Sequence, residues 1–280
     1  MSCANWSDLV GNDSAIINLR IPTITEPDYG LFSDFTSIEE IACDTYGSLF
    51  RKQDQYGELV FGTWLPTSAP SCAEAKFMIK NFNSPFIVSY KYGLQHEIQL
   101  LLIQEYCAGG TLYDFIEVKK QKLSSTDIWL IITQLVHALS FLHENGIIHC
   151  NVKPSNIFLC SDERPLRIKL GDFSICIDLN DSPVFEVRGT ALFMAPEVLQ
   201  GGCYDTAVDM WSLGVLICFL VHGSYPFKSF NETLSAEIPT SNSEFGHLIR
   251  KLLVRDPTQR ATAEELVSFP KIAETYDCCC

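Results

Sequence analysis

The chain has 280 residues, of which 47% are hydrophobic and 19% are charged. This composition excludes a chain that is disordered over most of its length, because it supplies enough apolar side chains to bury a core. The formal net charge of −14 argues against nucleic acid as a partner, because phosphate binding needs clustered Lys and Arg side chains.

The first part of the chain combines a segment without periodicity and a series of strands. Residues 1–34 contain turn-forming Gly and Pro and show no hydrophobic period, so we interpret them as an N-terminal extension of unknown order. From Phe35 to Leu65, short β-prone segments alternate with turn signals and predict antiparallel strands. Helical spacing follows over Ser71–Phe82, and two more strand-like segments come after it.

The second part of the chain is mainly helical. Cap-forming residues at Ser124–Asp127 precede a long helix with apolar periodicity. Asp209–Val221 is apolar on all sides, which predicts a helix at the centre of its lobe. Shorter helices are predicted near Glu244–Leu253 and over Thr262–Phe269. A small β-rich part followed by a larger helical part predicts an α+β fold with two lobes.

The cysteines and the apolar stretches bear on the cellular compartment. Twelve cysteines are scattered through a chain that is too large and too apolar to require disulfide bonds, and no pair of CxxC motifs predicts a zinc site. The N-terminus does not look like a signal peptide. The longest apolar stretches are shorter than the roughly 20 residues of a membrane helix, so we interpret them as buried helices. We therefore predict a cytoplasmic location.

The Cys-rich tail, residues 273–280, ends in three cysteines that are potential lipid acceptors: Cys278, Cys279 and Cys280. Asp277 occupies the fourth position from the end, so the prenylation pattern is absent. No polybasic run supplies a second membrane signal. Contact with a membrane is therefore expected only if these cysteines are lipidated, which would tether the chain peripherally.

Five motifs in chain order resemble those of the eukaryotic protein kinase family, over about residues 35–272. The KPSN form of the first motif favours the serine/threonine branch. The resemblance implies a bilobal protein-kinase-like fold. The N-lobe, at about 35–106, is small and β-rich with one helix, and the C-lobe, at about 107–272, is larger and mainly helical. The motifs are HCNVKPSN (149–156), GDFS (171–174), GTALFMAPE (189–197), DMWSLGV (209–215) and DPTQRATAEEL (256–266).

Four of the matched positions are structural in that family. The resemblance implies that Glu197 and Arg260 form a buried ion pair and that Asp209 accepts hydrogen bonds from the backbone of the catalytic loop. His149 is expected to be architectural as well. Because buried charges are costly without their partners, the joint presence of these residues predicts an intact framework for the large lobe.

The catalytic loop departs from the family pattern at its central residue. The family has an Asp at position 151 that accepts the proton of the substrate hydroxyl, whereas Asn151 carries an amide that cannot. Cys150 replaces an Arg that usually contacts a phosphorylated activation segment. Lys153 matches a phosphate-facing Lys, and Asp172 and Asn156 match the magnesium ligands.

The positions that would contact a nucleotide depart from the pattern more strongly. Thr63 stands where the resemblance implies a phosphate-clamping Lys, and Ala75 stands where it implies the Glu partner of that Lys. Of the glycine-rich loop only Gly47 remains, and Asp44 adds a negative charge near the expected phosphates. The hinge residues that the resemblance places beside the adenine are the gatekeeper Gln104 and the segment that contains Glu105 and Cys107.

Together, the changes at positions 44, 63, 75 and 151 predict a pseudokinase. Such a chain would act as a binding, scaffolding or regulatory partner in phosphorylation signalling, with an active kinase or its substrate as the protein partner. No cofactor is expected, and ATP with magnesium at low affinity is the alternative. Two other functions stay open: an atypical serine/threonine kinase that transfers phosphate from ATP to protein, and a nucleotide-binding switch without turnover.

Overall fold

The protein divides into two compact units, residues 1–83 with 89–106 and residues 84–88 with 107–280. The boundaries expected for the extension, the lobes and the tail stay a prediction. The predicted helix over Ser71–Phe82 lies almost entirely outside the described residues. The computed structural model describes residues 23–24, 36–44, 47–53, 59–66, 77, 80, 82–96, 99–180, 187–238 and 243–276.

The first unit is built on a sheet. Its described strands lie in the order β1-β5-β6-β4-β3-β2, with β1 parallel to β5 and the other neighbours antiparallel. The antiparallel run from β2 to β4 coincides with the predicted series of strands. The bounds are Thr23–Ile24 (β1), Thr36–Asp44 (β2), Gly47–Gln53 (β3), Leu59–Pro66 (β4), Tyr90–His96 (β5) and Gln99–Glu105 (β6).

Part of the predicted N-terminal extension joins this sheet. The backbone of Thr23 pairs with Gln95, and that of Ile24 pairs with His96, so β1 lies along the outer side of β5. A short hydrophobic pattern of two residues gives no local signal for a strand, and the pairing depends on a partner far along the chain.

The second unit is mainly helical. Its described short strands form the sheets β10-β9-β7 and β11-β8. The strands are Gly110–Thr111 (β7), Ile147–Ile148 (β8), Ile157–Leu159 (β9), Ile168–Leu170 (β10) and Ile177–Asp178 (β11). The helices are Ser125–Glu144 (α1), Pro196–Leu199 (α2), Ala207–His222 (α3), Phe230–Ser235 (α4), Gly246–Leu252 (α5), Ala263–Val267 (α6) and Pro270–Tyr276 (α7).

Helix α1 begins at a capping box. The Ser124 hydroxyl accepts a hydrogen bond from the backbone N–H of Asp127, and the Asp127 carboxylate accepts one from the backbone N–H of Ser124. In the part of the chain that the structure describes, α1 is the one helix long and apolar enough to cross a membrane by length and composition. Its most apolar window is 78% buried, as in a core helix.

Helix α3 is buried along most of its length, and it approaches α5 closely. A Cβ atom added at Gly214 would lie 2.8 Å from Leu253 Cδ2 and 2.9 Å from Leu252 Cβ, so only a glycine permits this spacing. The helix ends at Gly223, whose φ of 68° is left-handed. The predicted helix over Thr262–Phe269 is in fact α6, and Pro270 opens α7 rather than ending the helical region, because Pro suits the first turn of a helix.

Candidate functional site

The backbone of the loop after β8 is held by one carboxylate of α3. Asp209 is fully buried, and its Oδ2 accepts a hydrogen bond from the His149 N–H at 2.8 Å. Its Oδ1 accepts a second from the Cys150 N–H at 2.9 Å. His143 Nε2 also contacts Asp209 Oδ2 at 2.9 Å. Asp209 therefore joins α1, α3 and this loop through one side chain.

His149 connects the loop to the segment after β10. Its Nδ1 accepts a hydrogen bond from the Asn151 N–H at 3.2 Å, and its Nε2 lies 3.0 Å from the carbonyl oxygen of Gly171. Since Nδ1 accepts, Nε2 is the protonated nitrogen that donates to Gly171. Burial lowers the pKa of His149, and the nearby carboxylates of Asp209 and Asp172 only partly oppose this effect. The ring is thus held as the neutral tautomer that this arrangement requires.

Two residues of the site adopt left-handed backbone angles without being glycine. Cys150 has a φ of 65° and Asp172 a φ of 61°. Such angles cost about 1–3 kcal/mol each, so the hydrogen bonds around them must offset the strain. The Cys150 thiol is buried, and burial raises its pKa well above the usual range, with Asp209 and Cys176 acting in the same direction.

A continuous set of side-chain hydrogen bonds occupies the centre of the site. Lys153 Nζ donates to Thr190 Oγ1 at 2.9 Å, and Thr190 Oγ1 donates to Asn151 Oδ1 at 2.9 Å. Asn151 Nδ2 donates to Asp172 Oδ2 at 3.2 Å, and Ser174 Oγ donates to Asp172 Oδ1 at 2.6 Å. Both ends of the Asn151 amide are therefore engaged by protein groups.

The chemical consequence concerns proton transfer. The Asn151 side chain is 8% exposed, and an amide nitrogen that already donates to Asp172 cannot accept a proton. The amide oxygen is occupied by the Thr190 hydroxyl. The position at which the resemblance implies a general base thus holds a hydrogen-bond relay between Lys153 and Asp172.

Asp172 and Asn156 stand at the positions where the resemblance implies magnesium ligands. Asn156 Nδ2 donates to the carbonyl oxygen of Asn151 at 2.9 Å, so the other amide atom, Oδ1, is its potential ligand. Carboxylate and amide oxygens are ligands that magnesium prefers, and a bound ion would offset the charge of phosphate groups. Among the residues that the structure describes, no group of three or more His, Cys, Asp or Glu side chains could hold a metal ion.

The predicted structural ion pair lies elsewhere in the second unit. Arg260 Nη1 donates to Glu197 Oε1 at 2.7 Å, and Nη2 donates to Oε2 at 3.1 Å. The Arg260 guanidinium also donates to the carbonyl oxygens of Ala207 and Val254 and lies 5.2 Å from the ring of Trp211. The Arg260 side chain is fully buried. Its hydrogen bonds to Glu197 and Ala207 connect α2 to the N-terminus of α3.

Most residues predicted to face a nucleotide belong to the first unit. Gly47 begins β3 and pairs with Asp44, the last residue of β2. Thr63 lies in β4, where its backbone pairs with Leu49 and Leu102. Ala75 lies outside the described residues.

The hinge residues are divided between the two units. Gln104 and Glu105 end β6 in the first unit, whereas Cys107 is a buried residue of the second. Glu105 Oε1 accepts hydrogen bonds from the Ser89 N–H at 2.7 Å and from the Ser89 hydroxyl at 2.9 Å. The Glu105 carboxylate is thus held within its own unit.

Two residues of the central set did not emerge from sequence reasoning as site residues. Thr190 and Ser174 each lie within a matched motif, where the resemblance gives them no role of their own. Ser174 had a usable signal, because an Asp side chain commonly accepts a hydrogen bond from the backbone N–H two residues later. The contact of Thr190 with Asn151 spans 39 residues of sequence and leaves no local pattern.

Comparison with known proteins agrees with this geometry. The family described as "Protein kinase domain" matches residues 68–271. The match begins after β4, so Gly47 and Thr63 precede it. The predicted fold class and family are confirmed, and the relatives are serine/threonine protein kinases.

Several curated relatives have similar sequences. Calcium-dependent protein kinase 29 of Arabidopsis thaliana is 33% identical over 68% of this chain and 38% of its own length. Serine/threonine-protein kinase ULK3 of Xenopus laevis is 36% identical over 65% of this chain and 42% of its own length. Serine/threonine-protein kinase DCLK3 of Mus musculus is 34% identical over 70% of this chain and 26% of its own length. The match spans less than half the length of each of these relatives.

Proposed function

Because this chain belongs to the protein kinase family, we propose that it is a pseudokinase: a kinase domain that acts by binding a protein partner and transfers little or no phosphate. The partner is an active kinase or a kinase substrate, and the similarity to protein kinases supports a protein ligand. The net charge of −14 favours a partner with a basic surface, since complementary charge accelerates association.

The observation that carries the proposal is the engagement of Asn151. Its amide oxygen accepts from Thr190, and its amide nitrogen donates to Asp172. A general base contributes about 10²–10⁴-fold to the rate, and an amide in this bonding state contributes none of it. The loop keeps the backbone arrangement of a catalytic loop while its central side chain serves as a structural link.

The first unit supports the same function. No Lys occurs between Lys52 and Lys76, so β4 supplies no cation to clamp phosphates. Asp44, opposite Gly47 at the end of the β2–β3 pair, adds a negative charge where the resemblance implies glycine. Phosphoryl transfer depends on positioning and charge stabilisation, so the absence of a cation and the presence of an anion both raise its barrier.

The test is radiolabelled phosphate transfer from ATP to generic protein substrates and to the chain itself. We expect no transfer above that of Asp172→Ala and Lys153→Ala proteins, which serve as matched inactive controls. Transfer by the natural chain that disappears in both variants would contradict the proposal and establish an atypical kinase.

Retention of Asp172 and Asn156 favours a second candidate, a nucleotide-binding switch without turnover. Their oxygen ligands could hold a nucleotide through magnesium. Thermal unfolding with and without millimolar ATP and magnesium distinguishes it, because a ligand that binds only the folded state must raise the melting temperature. A shift without phosphate transfer supports the switch, and the absence of a shift supports the binding function alone.

Location is also a proposal. We infer a cytoplasmic protein that lipidation of Cys278, Cys279 and Cys280, which lie outside the described residues, would tether to a membrane. Cell fractionation of the natural chain and of a triple Cys→Ala variant tests it. Membrane association that persists in the variant would contradict the proposal.

A further inference from the structure

The carboxylate of Asp172 is engaged on both oxygens by groups of this chain. Ser174 Oγ donates to Oδ1 at 2.6 Å, with the Ser174 N–H at 3.4 Å from the same atom. Asn151 Nδ2 donates to Oδ2 at 3.2 Å. In the described part of the chain, no Lys or Arg side chain forms an ion pair with this carboxylate.

The neutral Asn151 amide and Ser174 hydroxyl therefore stabilise the negative charge of Asp172, which a cation would otherwise do. Asp172 is half-buried, and hydrogen bonds to an ionised carboxylate are short and strong. The 2.6 Å contact with Ser174 is typical of a hydroxyl that donates to an ionised carboxylate. These contacts also hold Asp172 at its left-handed φ of 61°.

The residue types at positions 151 and 174 both favour this arrangement. A carboxylate in place of Asn151 would bring two negative groups to about the 3.2 Å that now separates the amide from Asp172. Such a pair would require a proton or a cation between its members. A glycine in place of Ser174 would remove the hydroxyl and leave Oδ1 open to a metal ion.

We propose that Ser174 and Asn151 substitute for a divalent cation at Asp172, and that Ser174 is the residue that disfavours cation binding. This inference rests on the proposed pseudokinase function and deepens it. The hydrogen bonds from Ser174 and Asn151 hold Asp172 in place, so the geometry of this loop does not depend on a bound cation.

The probe is Mn²⁺ alone, titrated into the full chain and followed by the electron paramagnetic resonance signal of the free ion. The natural chain is compared with Ser174→Gly, Ser174→Ala and Asn151→Asp. Ser174→Thr keeps the hydroxyl, and Ser161→Gly makes the same type of change on a loop of the same unit. Thermal unfolding shows which variants are folded. If only one of Ser174→Gly and Ser174→Ala folds, that variant alone is sufficient for the test.

We expect Ser174→Gly and Ser174→Ala to bind Mn²⁺ on the order of tenfold more tightly than the natural chain, the fold-change for one hydrogen bond to a charged group. Asn151→Asp, which adds a negative charge beside Asp172, should also bind Mn²⁺ more tightly than the natural chain. Ser174→Thr and Ser161→Gly should match the natural chain. Equal binding by all the proteins, including undetectable binding by all, overturns the inference. Tight Mn²⁺ binding by the natural chain without phosphate transfer overturns it and leaves the proposed function standing, whereas phosphate transfer by the natural chain overturns both.

Discussion

His149 makes the stability of the folded protein depend on pH. Burial lowers the pKa of this ring, so the folded protein keeps it neutral at pH values where the unfolded chain binds a proton. The unfolded state therefore binds more protons below about pH 6.5, the ordinary histidine pKa. The free energy of unfolding is expected to fall as the pH decreases through this window, by up to about 1.4 kcal/mol per pH unit from this group.

Nuclear magnetic resonance of the histidine side chains measures this directly. We expect the His149 ring to remain neutral at pH 6.5, with Nε2 protonated, because Nδ1 accepts from the Asn151 N–H. A His149→Gln variant identifies the resonance, and His222→Gln, which removes an exposed histidine, is the control. Half-protonation of His149 at or above pH 6.5 would show that the ring is not held in this way.

At the scale of elements, the Arg260–Glu197 pair joins α2 to the start of α3. Glu197→Ala leaves a fully buried guanidinium without its carboxylate, and we expect a loss of about 3–5 kcal/mol in the free energy of unfolding. Glu274→Ala breaks the exposed pair with Lys271 inside α7 and should cost less than about 1 kcal/mol. Urea denaturation measures both, and similar losses in the two variants would contradict this assignment.

The elements also show where sequence patterns stop being informative. The α3 helix and the capping box of α1 follow from local periodicity and cap residues, and the structure has them within two residues of the predicted positions. Helix α7 was missed because Pro270 is both a helix terminator and a favoured first residue. Grouping of residues 84–88 with the second unit depends on pairing such as Ile87 with Leu170, which no local pattern encodes.

For the site, the sequence predicts which residues occupy the kinase positions but does not predict the contacts between their side chains. The motif spacing indicates which positions correspond to a kinase, including Asn151 and Asp172. It does not indicate that Thr190 and Ser174 complete the hydrogen bonds of those two side chains, because hydroxyl contacts depend on backbone angles such as the left-handed φ of Asp172. The replacement of a kinase residue can thus be predicted from the sequence, whereas the hydrogen bonds that compensate for it are seen only in the structure.

At the scale of the whole molecule, the losses are distributed over both units. Asn151 belongs to the second unit and Thr63 to the first. We therefore expect Asn151→Asp alone and Thr63→Lys alone to give no measurable phosphate transfer, because each leaves the other loss in place. The double variant should exceed either single variant in a radiolabel assay, with Asp172→Ala in the double background as control. Full transfer by one single variant would show that the defect is local.

Strand β1 has a consequence for the solubility of shortened chains. Its backbone pairing at Thr23 and Ile24 covers part of the outer row of N–H and C=O groups of β5. An uncovered row of this kind is a template for intermolecular strand pairing and aggregation. Removal of Thr23 and Ile24 therefore uncovers these backbone groups of β5, and a chain shortened past Ile24 is expected to self-associate more readily.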